Sequence, residues 1–210
     1  MILYVVRHGE SLGNVCDDFT LDPELTELGQ HQTDLLGKRF SSLPLTAVYA
    51  SPLLRAVATA NAVVRQQPSN GAKNIRILPD LMEKDTEPDY AGLDFEELKK
   101  RFPAVEPFIP CCLGTEDEKI IFVRAKRVIE RITSAYTLGE SVMLCAHGTF
   151  NQYLLAAALG MEQKANYIFC QLNTAVTKIT YHENNSPLRL TYMDDVSHLL
   201  GEYPNLFDCI

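Results

Sequence analysis

The sequence predicts an α/β protein built as a three-layer α/β/α sandwich, with a mostly parallel central sheet, an antiparallel edge and an irregular insertion. Short apolar, β-branched runs recur at residues 2–6, 47–50, 75–78, 142–146 and 176–181, each of strand length. Segments with helical spacing separate most of them, and parallel strands need such crossovers. The last run and another at 188–193 are separated only by His182-Glu183-Asn184-Asn185-Ser186-Pro187, which suits an antiparallel hairpin at the sheet edge.

The first strand, Ile2-Leu3-Tyr4-Val5-Val6, is apolar throughout, as in strands covered on both faces, and runs directly into Arg7-His8-Gly9-Glu10. Thr26 is placed to cap a helix reaching about residue 40, with Leu28, Leu35, Leu36 and Phe40 as its apolar face. Pro52 suits the first turn of an Ala- and Val-rich helix ending near Arg65. After the third strand, residues 79–114 stand apart: Pro79, Pro88, Pro103, Pro107 and Pro110 interrupt them, and one short helix is legible, capped by Asp94 and stopped by Pro103. Long irregular segments are commonly lids or binding loops, so residues 1–210 read as one domain with 79–114 as a lid or cap. Residues 116–136 carry Ile120, Ile121, Val123, Val128, Ile129 and Ile132 at the spacing of a long amphipathic helix. A last helix over 150–159 stops at Gly160.

With 210 residues, 46% of them hydrophobic, the chain can bury the core of one domain. Its formal charge of −8 argues against a nucleic-acid partner, which would call for a basic stripe. No stretch approaches the roughly 20 apolar residues of a membrane span, and the N-terminus lacks a basic region and cleavage site, so no membrane partner and a cytoplasmic location are expected. The six cysteines, Cys16, Cys111, Cys112, Cys145, Cys170 and Cys209, form no C-x-x-C pair and read as reduced thiols without zinc. Asn184-Asn185-Ser186 fits a glycosylation acceptor formally, but Pro187 follows it and no secretion signal precedes it. The apolar edge hairpin makes a homodimer one option.

Strand ends deliver the groups that carry chemistry. Arg7 and His8 follow the first, Arg55 opens the helix after the second, Glu83 follows the third and His147 the fourth. In a parallel sheet all of them reach one edge, where open α/β sheets bind ligands. Two arginines, two histidines and a carboxylate suit phosphoryl transfer, whose transition state spreads negative charge over equatorial oxygens. Arg7 and Arg55 would supply forked, permanently charged donors. His8 is the candidate nucleophile, because a neutral imidazole can attack phosphorus to give a phosphohistidine that water resolves. His147 would be protonated beside a phosphate dianion, Asn14 and the backbone near Gly148 would add neutral donors, and Glu83 would act as general acid and then base. A neutral His8 and a protonated Glu83 together imply a bell-shaped kcat/KM on the acid side of neutrality. His31 and His182 read as solvent histidines and His198 as structural; Asp80, Asp85, Glu87 and Asp89 crowd the loop around Glu83.

R-H-G-E-S-x-x-N at 7–14, then Leu25-Thr26-x-x-Gly29-x-x-Gln32, Ser51-Pro52-x-x-Arg55-Ala56, Leu81-x-Glu83, His147-Gly148 and Asn173-Thr174 together resemble the histidine phosphatase superfamily in its phosphoglycerate mutase-like branch. The resemblance implies an α/β sandwich, a phosphorylated histidine matching His8, a phosphate pocket matching Arg7, Asn14, Arg55 and His147, and a proton donor matching Glu83. It also places Thr20 where relatives often touch substrate, and implies no metal or organic cofactor. The chain departs after Glu83, reading Lys84-Asp85-Thr86-Glu87-Pro88-Asp89-Tyr90-Ala91-Gly92 where many relatives have a glycine and an aromatic-acid-glycine element. From Asp80 to Leu98 eight acids face the single base Lys84, and no adjacent arginine pair resembling the mutases' is present. A bisphosphate would want more positive charge there, so the sequence favours hydrolysis of a small phosphomonoester with a neutral or cationic leaving group. The alternatives are a cofactor-dependent phosphoglycerate mutase and a non-catalytic phosphate- or phosphoprotein-binding module.

Overall fold

Six strands form one sheet in the order β3-β2-β4-β1-β5-β6 in the computed structural model, which describes residues 1–15, 20–84, 86–87, 89–162, 169–182 and 188–203. They are β1 (Ile2–Arg7), β2 (Ala47–Ala50), β3 (Ile75–Ile77), β4 (Ser141–Ala146), β5 (Val176–Thr180) and β6 (Arg189–Asp195). The first four run parallel, and β5 and β6 add the antiparallel edge. Register fixes where the strands stop: Arg7 lies opposite Ala146, Ala50 opposite both Cys145 and Ile77, and Val6 opposite Val176. The carboxyl ends of four strands and the start of β5 therefore share one edge.

Alternation along the strands sends side chains to two separate cores. Leu3, Val5, Val142 and Leu144 pack with residues of α5 (Glu118–Ala135) and α6 (Gly148–Ala158). Tyr4, Val6, Val48 and Met143 pack on the other face with residues of α2 (Glu27–Phe40) and α3 (Leu54–Gln66). Two smaller helices, α1 (Leu12–Val15) and α4 (Phe95–Arg101), and a 3-10 turn at Pro79–Leu81 complete the described elements. Among the described residues no helix is long and apolar enough to cross a membrane.

The helix starts differ from the sequence expectation for identifiable reasons. Pro52 precedes α3 rather than opening it, because Ser51 Oγ accepts from Leu53 N at 3.3 Å and keeps the chain extended there. The first N–H of α3 is satisfied from elsewhere, by Asp22, at 2.9 and 3.0 Å. α6 starts at Gly148 instead of 150, because the Glu83 carboxylate accepts from Thr149 N and Phe150 N. Asp117 caps α5, which leaves Glu116 outside it. Thr26 and Asp94 cap α2 and α4 as expected, accepting from Gly29 N and Glu97 N. Three residues assigned to apolar faces turn outward: Leu28 is 37% exposed, Ile120 50% and Val123 61%. Within residues 79–114, Leu98 and Val105 are fully buried in the β3-side core, and Glu106 N donates to Ile75 O. The turn at 183–187, with the glycosylation-like string, and Cys16 and Cys209 lie outside the described residues. Cys111, Cys112, Cys145 and Cys170 are free thiols.

The two faces of α2 give a direct test. Leu36 is fully buried, so Leu36→Ala loses packing and leaves a cavity at a cost of about 2–5 kcal/mol, whereas exposed Leu28→Ala stays within about 0.5 kcal/mol. Urea unfolding of both variants checks this; equal losses would place Leu28 in the core.

Candidate active site

His8 sits just past β1, 3% exposed, in a turn held from every side. Its N–H donates to Ala146 O at 3.1 Å, and its carbonyl accepts from Thr174 N at 3.2 Å and Asn173 Nδ2 at 3.1 Å. Gly9 N donates to Thr59 Oγ1 at 3.0 Å, Glu10 N to Gln32 Oε1 at 2.9 Å, and Thr26 Oγ1 to Glu10 Oε1 at 2.7 Å. The turn lies so close to α2 that a Cβ on Gly9 would sit 2.6 Å from Gly29 O, and one on Gly29 would sit 1.9 Å from Glu10 O. The Leu25-Thr26-x-x-Gly29-x-x-Gln32 string thus has a physical content: it is the seat for the turn that carries His8.

The His8 ring is oriented by a 2.6 Å hydrogen bond between Nδ1 and Gly9 O. A carbonyl only accepts, so Nδ1 carries the proton and Nε2 keeps its lone pair. Arg55 Nε points at that Nε2 from 3.3 Å. Burial pushes the imidazole well below its ordinary pKa; Arg55 and Arg7 push the same way, and the Gly9 bond opposes them. The result is a neutral ring whose Nε2 lone pair faces the pocket and accepts from Arg55 Nε, among fixed cations.

His147 lies across the pocket, its ring centroid 5.1 Å from that of His8. Its Nε2 pairs with Ser51 Oγ at 2.8 Å, while Nδ1 is buried without a partner among the described residues. Burial, then Arg55, His8 and Arg7, hold this ring too well below its usual pKa. The protonated state expected from the sequence therefore has to be brought by an incoming anion. Arg7 donates Nη1 to Gln171 O at 2.5 Å, and its buried Nε has no partner among the described residues. Gly148 makes room for it, since a Cβ there would lie 3.3 Å from Arg7 Nε. Arg7 Nε and His147 Nδ1 are the kind of buried unpaired groups that an oxyanion would satisfy.

Two residues that the sequence reading missed organise the opposite wall. Asp22, its side chain 5% exposed, caps α3 through Leu54 N, lies 3.5 Å from Arg55 Nη1 and accepts from Tyr90 OH at 3.2 Å. Burial raises its pKa against the pull of Leu54 N and Arg55. Asp22 steers the guanidinium, and Tyr90 links it to the segment after Glu83. No spacing or composition signal marks either residue; only the folded contact does.

The remaining expected residues are spread around the mouth. Asn14 Oδ1 accepts from Ser11 N, Ser11 Oγ and Asn173 Nδ2 at 3.1–3.2 Å, so the amide's NH2 side is the one able to face a phosphate. Glu83 accepts from Lys84 N, Thr149 N and Phe150 N at 2.8, 3.1 and 2.8 Å, and its charge is felt at Arg7 and Arg55. The Thr149 and Phe150 amides are thus given to Glu83 in this structure. Thr20 lines an open groove of about 400 Å³ with Leu21, Pro23, Arg55, Glu83, Lys84 and Glu87. Asp80 and Asp94, counted among the acids of this region, are turned elsewhere, to Arg127 and to the cap of α4. His198 bonds Thr174 Oγ1 at 3.1 Å and Arg39 at 3.3 Å, a structural role, while His31 pairs with Glu202 on the surface.

The profile of the histidine phosphatase superfamily, branch 1, matches residues 3–193. The chain belongs to that family. It is 26% identical to phosphoserine phosphatase 1 of Hydrogenobacter thermophilus, over 96% of this chain and 95% of that protein. It is 25% identical to a protein of Erwinia tasmaniensis named probable phosphoglycerate mutase GpmB, over 94% of each. Among solved structures, a phosphoserine phosphatase of Entamoeba histolytica in complex with 3-phosphoglyceric acid superposes with a TM-score of 0.68 at 22% identity, covering 95% of this chain and 99% of that one. Family membership makes the protein an enzyme of the phosphatase and mutase class.

Two buried histidines and the half-buried His198 also set a pH dependence of stability. In the unfolded chain an imidazole takes a proton near pH 6.5, whereas in the fold His198 waits until about 4 and His8 and His147 are held well below 6.5. As pH falls from 6.5 the unfolded state binds protons that the native state does not, and stability drops by at most about 1.4 kcal/mol per pH unit for each such group. The urea midpoint should fall between pH 7.5 and 5, and His198→Gln should make the fall shallower; a midpoint unchanged over that range contradicts the buried neutral state.

Proposed function

We propose that the protein is a metal-independent phosphatase that hydrolyses a small phosphomonoester through a phosphohistidine at His8. The carrying observation is the His8 ring itself: neutral, its Nδ1 proton tied to Gly9 O, its Nε2 facing the pocket beside Arg55. On this reading Arg7, Arg55 and His147, with Asn14, hold the phosphoryl oxygens, and the arginines neutralise charge that a metal ion would otherwise carry. Nε2 bonds to phosphorus while the ester oxygen departs with a proton from the Glu83 carboxyl. Glu83 then takes a proton from the water that attacks the phosphohistidine and frees the ring.

Hydrolysis is favoured over mutase chemistry by the groove. Beyond Arg55 and Glu83 its described lining adds one base, Lys84, and one acid, Glu87, which gives a second phosphate little cationic support. The same two charges suit a small polar leaving group that is neutral or cationic overall, such as one carrying an amine beside a carboxylate. Residues 79–114, and with them Thr20, would shape that selectivity. Because a full-length relative bears the name phosphoserine phosphatase, phosphoserine is the first natural ester to assay.

Phosphate release from p-nitrophenyl phosphate should resist EDTA and fall to background in His8→Ala, and Arg55→Met should lower kcat by about 10²–10³-fold through loss of a transition-state donor. Since the free His8 ring stays neutral well below pH 6.5, kcat/KM should hold as pH drops through 6.5, with any acid limb lying lower. An inactive wild type across a broad ester panel would overturn the reading, and isomerisation of phosphoglycerate stimulated by bisphosphoglycerate would replace it with the mutase.

A further inference from the structure

Arg124 occupies the buried face of α5, 2% exposed, where the helical spacing calls for a hydrophobe. Its Nε and Nη2 fork onto Glu116 at 2.8 and 2.5 Å, and Nη1 donates to the carbonyls of Asp80 and Met82 at 2.9 and 2.8 Å. The guanidinium lies 4.1 Å over the ring of Phe150. These contacts surround one residue. Met82 immediately precedes Glu83, Phe150 N donates to the Glu83 carboxylate at 2.8 Å, and Glu116 ends the segment returning from residues 79–114. Arg127 fastens the same turn from outside, forking onto Asp80 at 3.0 and 2.7 Å.

A buried ion pair adds little net stability over a well-packed apolar pair of the same volume, so stability is a weak reason for Arg124 to be there. A planar fork that also reaches two carbonyls does something an apolar side chain cannot: it fixes backbone position at hydrogen-bond precision. We propose that Arg124, paired with Glu116, is a positioning residue that holds the turn before Glu83 and the first turn of α6 so that the Glu83 carboxyl meets the departing oxygen. This rests on the reading of Glu83 as proton donor. Arg124 itself exchanges no proton: the proton passes from Glu83 to the bridging oxygen as the O–P bond breaks and the bond from His8 Nε2 to phosphorus forms.

Leaving-group dependence separates positioning from general damage. A nitrophenolate departs well without a proton, whereas an alkoxide needs one, so displacing Glu83 should slow alkyl esters selectively. In Arg124→Met, kcat/KM, which reports the steps through departure of the ester oxygen and not the later hydrolysis of the phosphohistidine, should fall by about 10²-fold on phosphoserine or another active alkyl phosphate, the scale of a misplaced catalytic group, while kcat/KM on p-nitrophenyl phosphate changes by less than about threefold. Arg124→Lys and Glu116→Gln, which keep much of the volume, carry the same comparison if Arg124→Met does not fold, with circular dichroism confirming the native state. The loss should also be absent when Arg124 is changed in a Glu83→Gln background. Equal losses on both ester types, or a loss that adds in full to that of Glu83→Gln, would overturn the positioning role. If Glu83→Gln itself leaves the leaving-group dependence unchanged, Glu83 is not the proton donor and both readings fall together; if only the Arg124 and Glu116 variants leave it unchanged, the role of Arg124 alone is refuted.

Discussion

A buried imidazole placed among guanidinium groups has to be prevented from rotating, because a free ring would turn its N–H toward the pocket as easily as its lone pair. The 2.6 Å contact between His8 Nδ1 and Gly9 O settles the question locally, but only if Gly9 O stays where it is. That carbonyl belongs to a turn whose backbone is gripped by Ala146, Asn173, Thr174, Thr59 and Gln32, and which packs on α2 so closely that neither Gly9 nor Gly29 has room for a Cβ. One strand end, one helix start and one loop leading into β5 therefore converge on the orientation of a single ring. The sheet register makes this possible by stopping β1 and β4 level with each other and starting β5 beside them.

Charge is the second constraint. Desolvation weakens the charged forms of Arg7 and Arg55 and drives His8 and His147 neutral. The arginines are supported by Asp22 and Glu83 near Arg55 and by Glu83 and Asp194 near Arg7, so the cationic wall is balanced by carboxylates outside the histidine pair. This is how a chain with a formal charge of −8 keeps a site suited to a phosphate. The net charge describes the surface, while the pocket depends on which few groups are buried together.

The sheet, its antiparallel edge and the helices between strands were legible because each depends on local periodicity and on connection length. The groups at the four parallel strand ends were legible for a related reason: a parallel sheet brings its carboxyl ends together whatever else the chain does. Errors arose where a residue's role depends on a distant partner. Pro52 looked like a helix opener, but Asp22, 32 residues away from Leu54, decides where α3 begins. Leu28, Ile120 and Val123 are apolar, yet they lie on outward-facing sides of helices whose neighbouring residues Gly29, Ile121 and Arg124 are buried, so residue type alone did not assign the face. The burial of Arg124 follows only from the meeting of Glu116, Phe150 and the turn at Asp80.

On the proposed reading the site has a phosphorus end and a leaving-group end, and the two are built by different means. The phosphorus end rests on strand termini and on a turn clamped to α2, so its geometry follows from the sheet and tolerates little change. The leaving-group end is a groove whose walls include Thr20, Lys84 and Glu87, residues outside the sheet and its covering helices. Glu83 stands between the two, and its carboxylate is tied to α6 on one side while the preceding turn is tied through Arg124 to α5 on the other. Tyr90 and Asp22 make a further link from the groove-side segment to Arg55. A change in the residues that meet the leaving group can thus alter which ester is accepted without moving His8, provided these tethers hold. The separation offers a physical reason why one arrangement at phosphorus can serve phosphatases and mutases alike, with the distinction written in the loops around it.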